Sequence, residues 1–162
     1  MTTVLKLFLS FLCATICHWA LMTVFGEIGV TVNIMLIFSM VVCAYLKPEY
    51  GYPTAFLGGL FLDFFGVKLF GCHAFIFTLC ACAVYGMEKR LDMDGIIPQI
   101  ISIFFLSLAA SLFNFLLLKV FTGFSAWGGF WPFIGGITLN AALAPFVFRV
   151  LRHVFAIERK MS

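Results

Sequence analysis

Six apolar segments follow one another along the chain, with only short connections between them. They cover about residues 7–25, 30–46, 53–67, 69–87, 96–121 and 130–151. A helix that crosses a bilayer needs about 20 mostly apolar residues, so the chain has room for six spans and for no domain outside the membrane. Short connections make consecutive helices antiparallel neighbours. We therefore predict an all-α, polytopic integral membrane protein whose residues 1–162 form one transmembrane domain.

The composition excludes the two main alternatives. The chain is 64% hydrophobic and only 10% charged, whereas soluble domains are about 45–50% apolar and about 25% charged. Such a chain cannot cover a water-soluble globule with polar groups, and it is far too apolar to be disordered. Lys6 and the apolar run after it resemble a signal peptide. No small-residue cleavage site follows, so we interpret the run as a retained first span.

The third segment has the weakest signal for a span. It is short, holds the adjacent glycines Gly58 and Gly59, and contains an acid, Asp63. A full span, a tilted span and one arm of a re-entrant pair with the fourth segment all fit this pattern.

The basic residues predict the orientation. With six spans both termini lie on one side, and eight of the ten Lys and Arg residues fall there. These eight are Lys6, Lys47, Lys89, Arg90, Arg149, Arg152, Arg159 and Lys160. Only Lys68 and Lys119 fall on the other side. Because Lys and Arg collect in cytoplasmic loops, we predict cytoplasmic termini. The aromatic belts fit this orientation, with the four tyrosines towards the cytoplasm and Trp19, Trp127 and Trp131 towards the outside.

Asp63 is the only acid within a predicted span. A charge inside a bilayer is costly, so such a residue needs a structural or functional reason. At about 100° per residue, one helix face carries Ala55, Gly59, Asp63 and Gly66. Small residues let the backbone of a neighbouring helix approach closely. We therefore predict that this face packs inward and carries Asp63 with it.

Other polar side chains fall at the depth of Asp63. In the predicted orientation five spans each place one in the outer half of the membrane, which gives an outer polar cluster of His18, Asn33, Asp63, His73 and Asn114. Asn140 lies deeper, in the sixth segment. The cluster can serve as interhelical hydrogen bonding, as a small-solute pocket open to the outside, or as a docking surface for another membrane helix.

No motif for enzyme chemistry stands out. The sequence contains no Gly-rich phosphate loop, no His-Glu-x-x-His and no Gly-x-Ser-x-Gly. The six cysteines lie in apolar runs, where we expect them to act as small hydrophobic residues. We predict a protein that is not an enzyme and uses no cofactor. The C-terminal basic residues Arg149, Arg152, Arg159 and Lys160 are expected to anchor the chain to anionic lipid, the alternative being a cytoplasmic partner.

The second to fourth segments resemble a known family. Around the third span the family reads roughly G-x-x-x-G-L-x-x-D-x-x-x-G, with a further glycine before the fourth. The corresponding residues here are Gly59, Leu60, Asp63, Gly66 (one position earlier than in this pattern) and Gly71, while Ala55 replaces the upstream glycine beside Gly58. The stretch from about residue 30 to 90 is therefore similar to the bacterial rod shape-determining protein MreD family. With this motif, the predicted helix-packing or partner interface is Ala55, Gly58, Gly59, Asp63, Gly66 and Gly71.

The resemblance implies a role in the elongation (elongasome) machinery of the bacterial inner membrane. Its expected partners are a bitopic MreC-like protein, the actin-like MreB, and the lateral-wall glycosyltransferase and transpeptidase; no nucleic acid is among them. The family also resembles the substrate-binding components of energy-coupling-factor vitamin transporters, which have six spans and an outward pocket. The alternative function is therefore a small-solute (vitamin-type) binding component of a transporter.

Overall fold

The computed structural model describes residues 3–66, 69–87, 95–123 and 129–155. These residues form six helices and no strand, namely α1 (Thr3–Gly26), α2 (Ile34–Tyr45), α3 (Pro48–Phe65), α4 (Cys72–Met87), α5 (Ile96–Thr122) and α6 (Phe130–Phe155). The predicted all-α class is confirmed, and α1, α5 and α6 are each long and apolar enough to cross a membrane. Six spans and cytoplasmic termini stay predictions. Several residues used above lie outside the described part, namely Lys68, Lys89, Arg90, Trp127, Arg159 and Lys160.

The shortest helix, α2, forms the centre of the bundle. It contacts all five other helices, and residues 34–43 are all buried. A helix that is hydrophobic all round belongs in such a position. Its 12 residues extend about 18 Å, well below the 30 Å or so of a bilayer core. The predicted segment 30–46 is only partly helical, since residues 30–33 are not in a helix. Asn33 caps the N-terminus of α2, where its side-chain oxygen accepts a hydrogen bond from the Leu36 N–H at 3.0 Å.

The non-helical residues before α2 lie against two glycines of α6. A Cβ added to Gly136 would lie 2.7 Å from the Thr31 carbonyl oxygen. One added to Gly135 would lie 3.3 Å from a Val30 methyl group. Because only a helix surface without side chains admits a backbone this close, the two glycines form the place where this stretch packs.

Helices α3 and α4 pack closely through the glycine face predicted above. Ala55, Gly58, Gly59 and Asp63 are all buried. A Cβ on Gly59 would meet the backbone of His73 and Ala74, and one on Gly58 would lie 2.7 Å from the Ser39 hydroxyl of α2. Since α4 and α2 lie against Gly59 and Gly58, this face forms a contact within the chain.

Two residues of the predicted interface differ from the other four. Gly66 is exposed, because α3 ends at Phe65 and the chain turns away. A Cβ on Gly71 would meet nothing within 4 Å, and the residue has a φ of 88°. Gly71 therefore provides the left-handed backbone of the turn into α4, which side chains with a Cβ rarely adopt. Neither glycine forms a helix contact.

The outer surface of the bundle is strongly apolar. Large exposed hydrophobic side chains lie on every helix except α2, for example Phe8, Leu57, Phe105 and Phe146. Soluble monomers rarely expose contiguous apolar surface on this scale. This surface is suited to lipid, while the exposed Arg149 and Arg152 lie on the last turns of α6.

Candidate functional site

A partly open cavity of about 640 Å³ lies at the end of the bundle where α1, α3 and α5 end and α2, α4 and α6 begin. All six helices contribute to its wall. The polar lining residues are His18, Thr31, Asn33, His73, Ser107, Ser111, Asn114 and Asn140. Small-molecule sites occupy about 300–1,000 Å³ and combine apolar walls with a few converging polar groups. This cavity has both properties.

The carboxylate of Asp63 caps the N-terminus of the neighbouring helix α4. Its Oδ1 accepts a hydrogen bond from the His73 N–H at 3.0 Å, and its Oδ2 accepts one from the Ala74 N–H at 3.0 Å. The first N–H groups of a helix have no partner within the helix, and the helix dipole favours a negative charge beside them. Asp63 is 2% exposed, so these contacts explain how an acid is accommodated among apolar helices.

Hydrogen bonds between side chains connect Asp63 to α5 through His73. Nδ1 of His73 lies 2.8 Å from the Asp63 carboxylate, and Nε2 lies 2.9 Å from the Asn114 amide nitrogen. A carboxylate can only accept, so Nδ1 is the donor. The amide nitrogen can only donate, so Nε2 is the acceptor of this hydrogen bond. These hydrogen bonds join α3, α4 and α5 through side chains alone.

A second chain of hydrogen bonds joins α5, α6 and the start of α2. The Asn140 carbonyl oxygen accepts from the Asn33 N–H at 2.8 Å. The Asn140 amide nitrogen donates to the Ser107 hydroxyl at 3.3 Å. Backbone groups away from water must be satisfied within the protein. Asn140 therefore accepts a hydrogen bond from a backbone N–H at the start of α2, as Asp63 does at the start of α4.

His18 differs from the other buried polar residues around the cavity. It lines the cavity and is only 8% exposed. Its Nδ1 is buried without a hydrogen-bond partner among the residues that the structure describes. An unsatisfied buried polar atom is costly, and it commonly marks a water or ligand position.

The structure brings the members of the predicted outer polar cluster together, but in two layers. His18, Asn33, His73 and Asn114 line the cavity, whereas Asp63 lies behind the wall and reaches the cavity only through His73. Asn140, which the sequence placed deeper, also lines it. Ser107 and Ser111 were missed. Their spacing of four residues, with Asn114 three further on, was the available signal, since it places all three on one helix face.

The remaining reactive side chains are dispersed. The cysteines are free, with Cys13, Cys17 and Cys82 exposed and Cys43, Cys72 and Cys80 buried. Among the described residues no group of three or more His, Cys, Asp or Glu side chains could hold a metal ion. The polar groups that line the cavity are imidazole, hydroxyl and amide groups, which donate and accept hydrogen bonds.

Replacing the buried Asn140 with alanine is expected to destabilise the protein by about 1–3 kcal/mol, because the partly buried Asn33 N–H loses its acceptor. Unfolding of the purified protein in detergent measures the change. Thr138→Val on the same helix is the matched control, since the exposed Thr138 hydroxyl bonds only to carbonyls of its own helix. Equal stability of the two variants would contradict the role given to Asn140.

Comparison with known proteins gives one match. The model of the family described as rod shape-determining protein MreD matches residues 1–154. No curated protein and no solved structure matches the chain. The match extends well beyond the stretch from about residue 30 to 90 that carries the sequence motif.

Proposed function

Because the chain belongs to the rod shape-determining protein MreD family, we propose that it is a non-enzymatic membrane component of the bacterial elongation machinery. In this role it supports lateral peptidoglycan synthesis by binding an MreC-like bitopic membrane protein. The observation that carries the proposal is the family match over residues 1–154, which indicates a role in rod shape determination. The partner and the link to peptidoglycan synthesis are the parts that experiment must test.

The architecture supports a scaffold. The two short helices α2 and α4 begin inside the bundle, and side chains of other helices hold both of their N-termini. These hydrogen bonds between helices fix the positions of the helices. The apolar exterior offers surface to lipid and to another membrane helix. We propose a multi-pass position in the inner membrane, with MreB and the lateral-wall synthases as further members of the assembly. The basic end of α6 then lies near anionic lipid at the cytoplasmic face.

The partner is tested by purification from native membranes. The full-length chain carrying an affinity tag is extracted in mild detergent and captured, and the co-purified proteins are identified by mass spectrometry. We expect an MreC-like bitopic protein in at least stoichiometric yield. An unrelated tagged polytopic protein, expressed at the same level, is the control. Capture of the folded chain without an MreC-like protein would contradict the proposal.

A second candidate function is the solute-binding component of a transporter, which the cavity favours. Its volume of about 640 Å³ and its lining by all six helices are typical of a small-molecule site. The two candidates differ in what they require of the cavity. A scaffold needs its polar residues only as interhelical bonds, whereas a solute-binding component needs a molecule to enter and to contact them.

A further inference from the structure

The cavity wall carries no carboxylate, ammonium or guanidinium group among the residues that the structure describes. The ionisable side chains among these lining residues are those of His18 and His73. The nearby Asp63 carboxylate does not line the cavity, and it accepts hydrogen bonds from two backbone N–H groups and from the His73 ring. An ion that moved from water into this site would lose its hydration and find no counter-charge. The electrostatics therefore favour an uncharged ligand.

Three lining side chains keep unused hydrogen-bonding capacity. The His18 ring makes no hydrogen bond to a described residue, although it is only 8% exposed. The Ser111 hydroxyl and the Asn114 carbonyl oxygen line the same cavity, and no described residue pairs with either of them. Together they can present donors and acceptors to one molecule.

The rest of the wall is rich in aromatic rings. The aromatic lining residues are Trp19, Phe61, Phe65, Phe77, Phe115 and Phe133. Aromatic side chains stack on planar rings or contact them edge to face. Polar groups at a few points and aromatic surface elsewhere suit a flat molecule with polar atoms at its edge.

We propose that this cavity binds an uncharged, planar heteroaromatic molecule, with His18, Ser111 and Asn114 as its hydrogen-bonding partners. This inference shares one requirement with the second candidate function, namely that a solute can enter the cavity. It does not require the protein to take part in transport. Asp63 does not line the cavity, and its hydrogen bond to His73 connects it to the Asn114 side chain.

Matched pairs of probes test the charge preference. The full-length protein is placed in phosphatidylcholine nanodiscs and dialysed to equilibrium against nicotinamide or nicotinate, adenosine or its 5′-monophosphate, and riboflavin or its 5′-phosphate. Each pair differs chiefly in one anionic group. At least one uncharged member is expected to saturate below about 1 mM, with its anionic partner about tenfold weaker or undetectable. Empty nanodiscs correct for partitioning into lipid.

Two variants and a control locate the binding. We expect His18→Phe and Ser111→Ala each to weaken binding of that probe by about tenfold, which corresponds to the loss of one hydrogen bond. Cys17→Ala should bind normally, because Cys17 is the neighbour of His18 on α1, is exposed and does not line the cavity. Melting curves show which variants fold, and Ser111→Ala decides alone if His18→Phe does not.

The inference is overturned if no uncharged probe saturates, if the anionic members bind as well, or if both folded variants bind like the wild type. None of these outcomes affects capture of an MreC-like protein, which is measured separately. A failure of the ligand site can therefore be told apart from a failure of the scaffold function.

Discussion

Asp63→Ala is expected to lower the free energy of unfolding by about 3–5 kcal/mol. The substitution leaves the His73 and Ala74 N–H groups and His73 Nδ1 without their acceptor, and the Ala74 N–H group is buried. It also removes the negative charge at the start of α4, which the helix dipole favours. Reversible unfolding in mixed micelles measures the loss.

Asparagine at the same position should give an intermediate loss of stability. Asp63→Asn keeps one oxygen acceptor, but it places an amide N–H₂ group where two backbone donors need a partner, so we expect a loss between those of alanine and wild type. Glu27→Gln is the matched control, since Glu27 is an exposed acid in the turn after α1 and should change stability by no more than about 0.5 kcal/mol. A stable, native-like Asp63→Ala protein would refute the capping role.

Gly59→Ala is expected to destabilise the protein by about 1–3 kcal/mol, and Gly59→Leu to prevent folding. An added Cβ would collide with the backbone of His73 and Ala74, which cannot move aside as a flexible side chain can. The collision would also push α4 away from Asp63 and so weaken its cap. Thermal melting in detergent, together with the yield of monodisperse protein in size-exclusion chromatography, measures both variants.

The control for this prediction is a helical glycine without neighbours. Gly86 lies in α4, and a Cβ there would meet nothing within 4 Å. Gly86→Ala should be neutral or stabilise the protein by up to about 1 kcal/mol, because alanine is the better helix former. If Gly59→Ala melted like Gly86→Ala, the close contact between α3 and α4 would be refuted.

Much of the fold follows from local sequence properties. Long apolar runs predict helices, because a chain in lipid must pair its own backbone groups. The helical repeat alone placed Gly59 and Asp63 on one inward face, and both are buried. The start of α2 was less clear, since the apolar run begins at Val30, before the first residue of the helix. What keeps Val30 and Thr31 non-helical is the contact with α6, which lies more than 100 positions away in the sequence.

The sequence by itself determined the helical class, the apolar exterior, the membership of a shape-determining family and the presence of an acid among apolar residues. Only the tertiary structure decided what that acid contacts. Asp63 faces the N-terminus of α4 rather than a solute, and the cavity is lined instead by His18, Asn114 and Asn140 from three different helices. Hydropathy and helical periodicity depend on neighbours along the chain, whereas a cap between helices and a cavity depend on how separate helices meet in space.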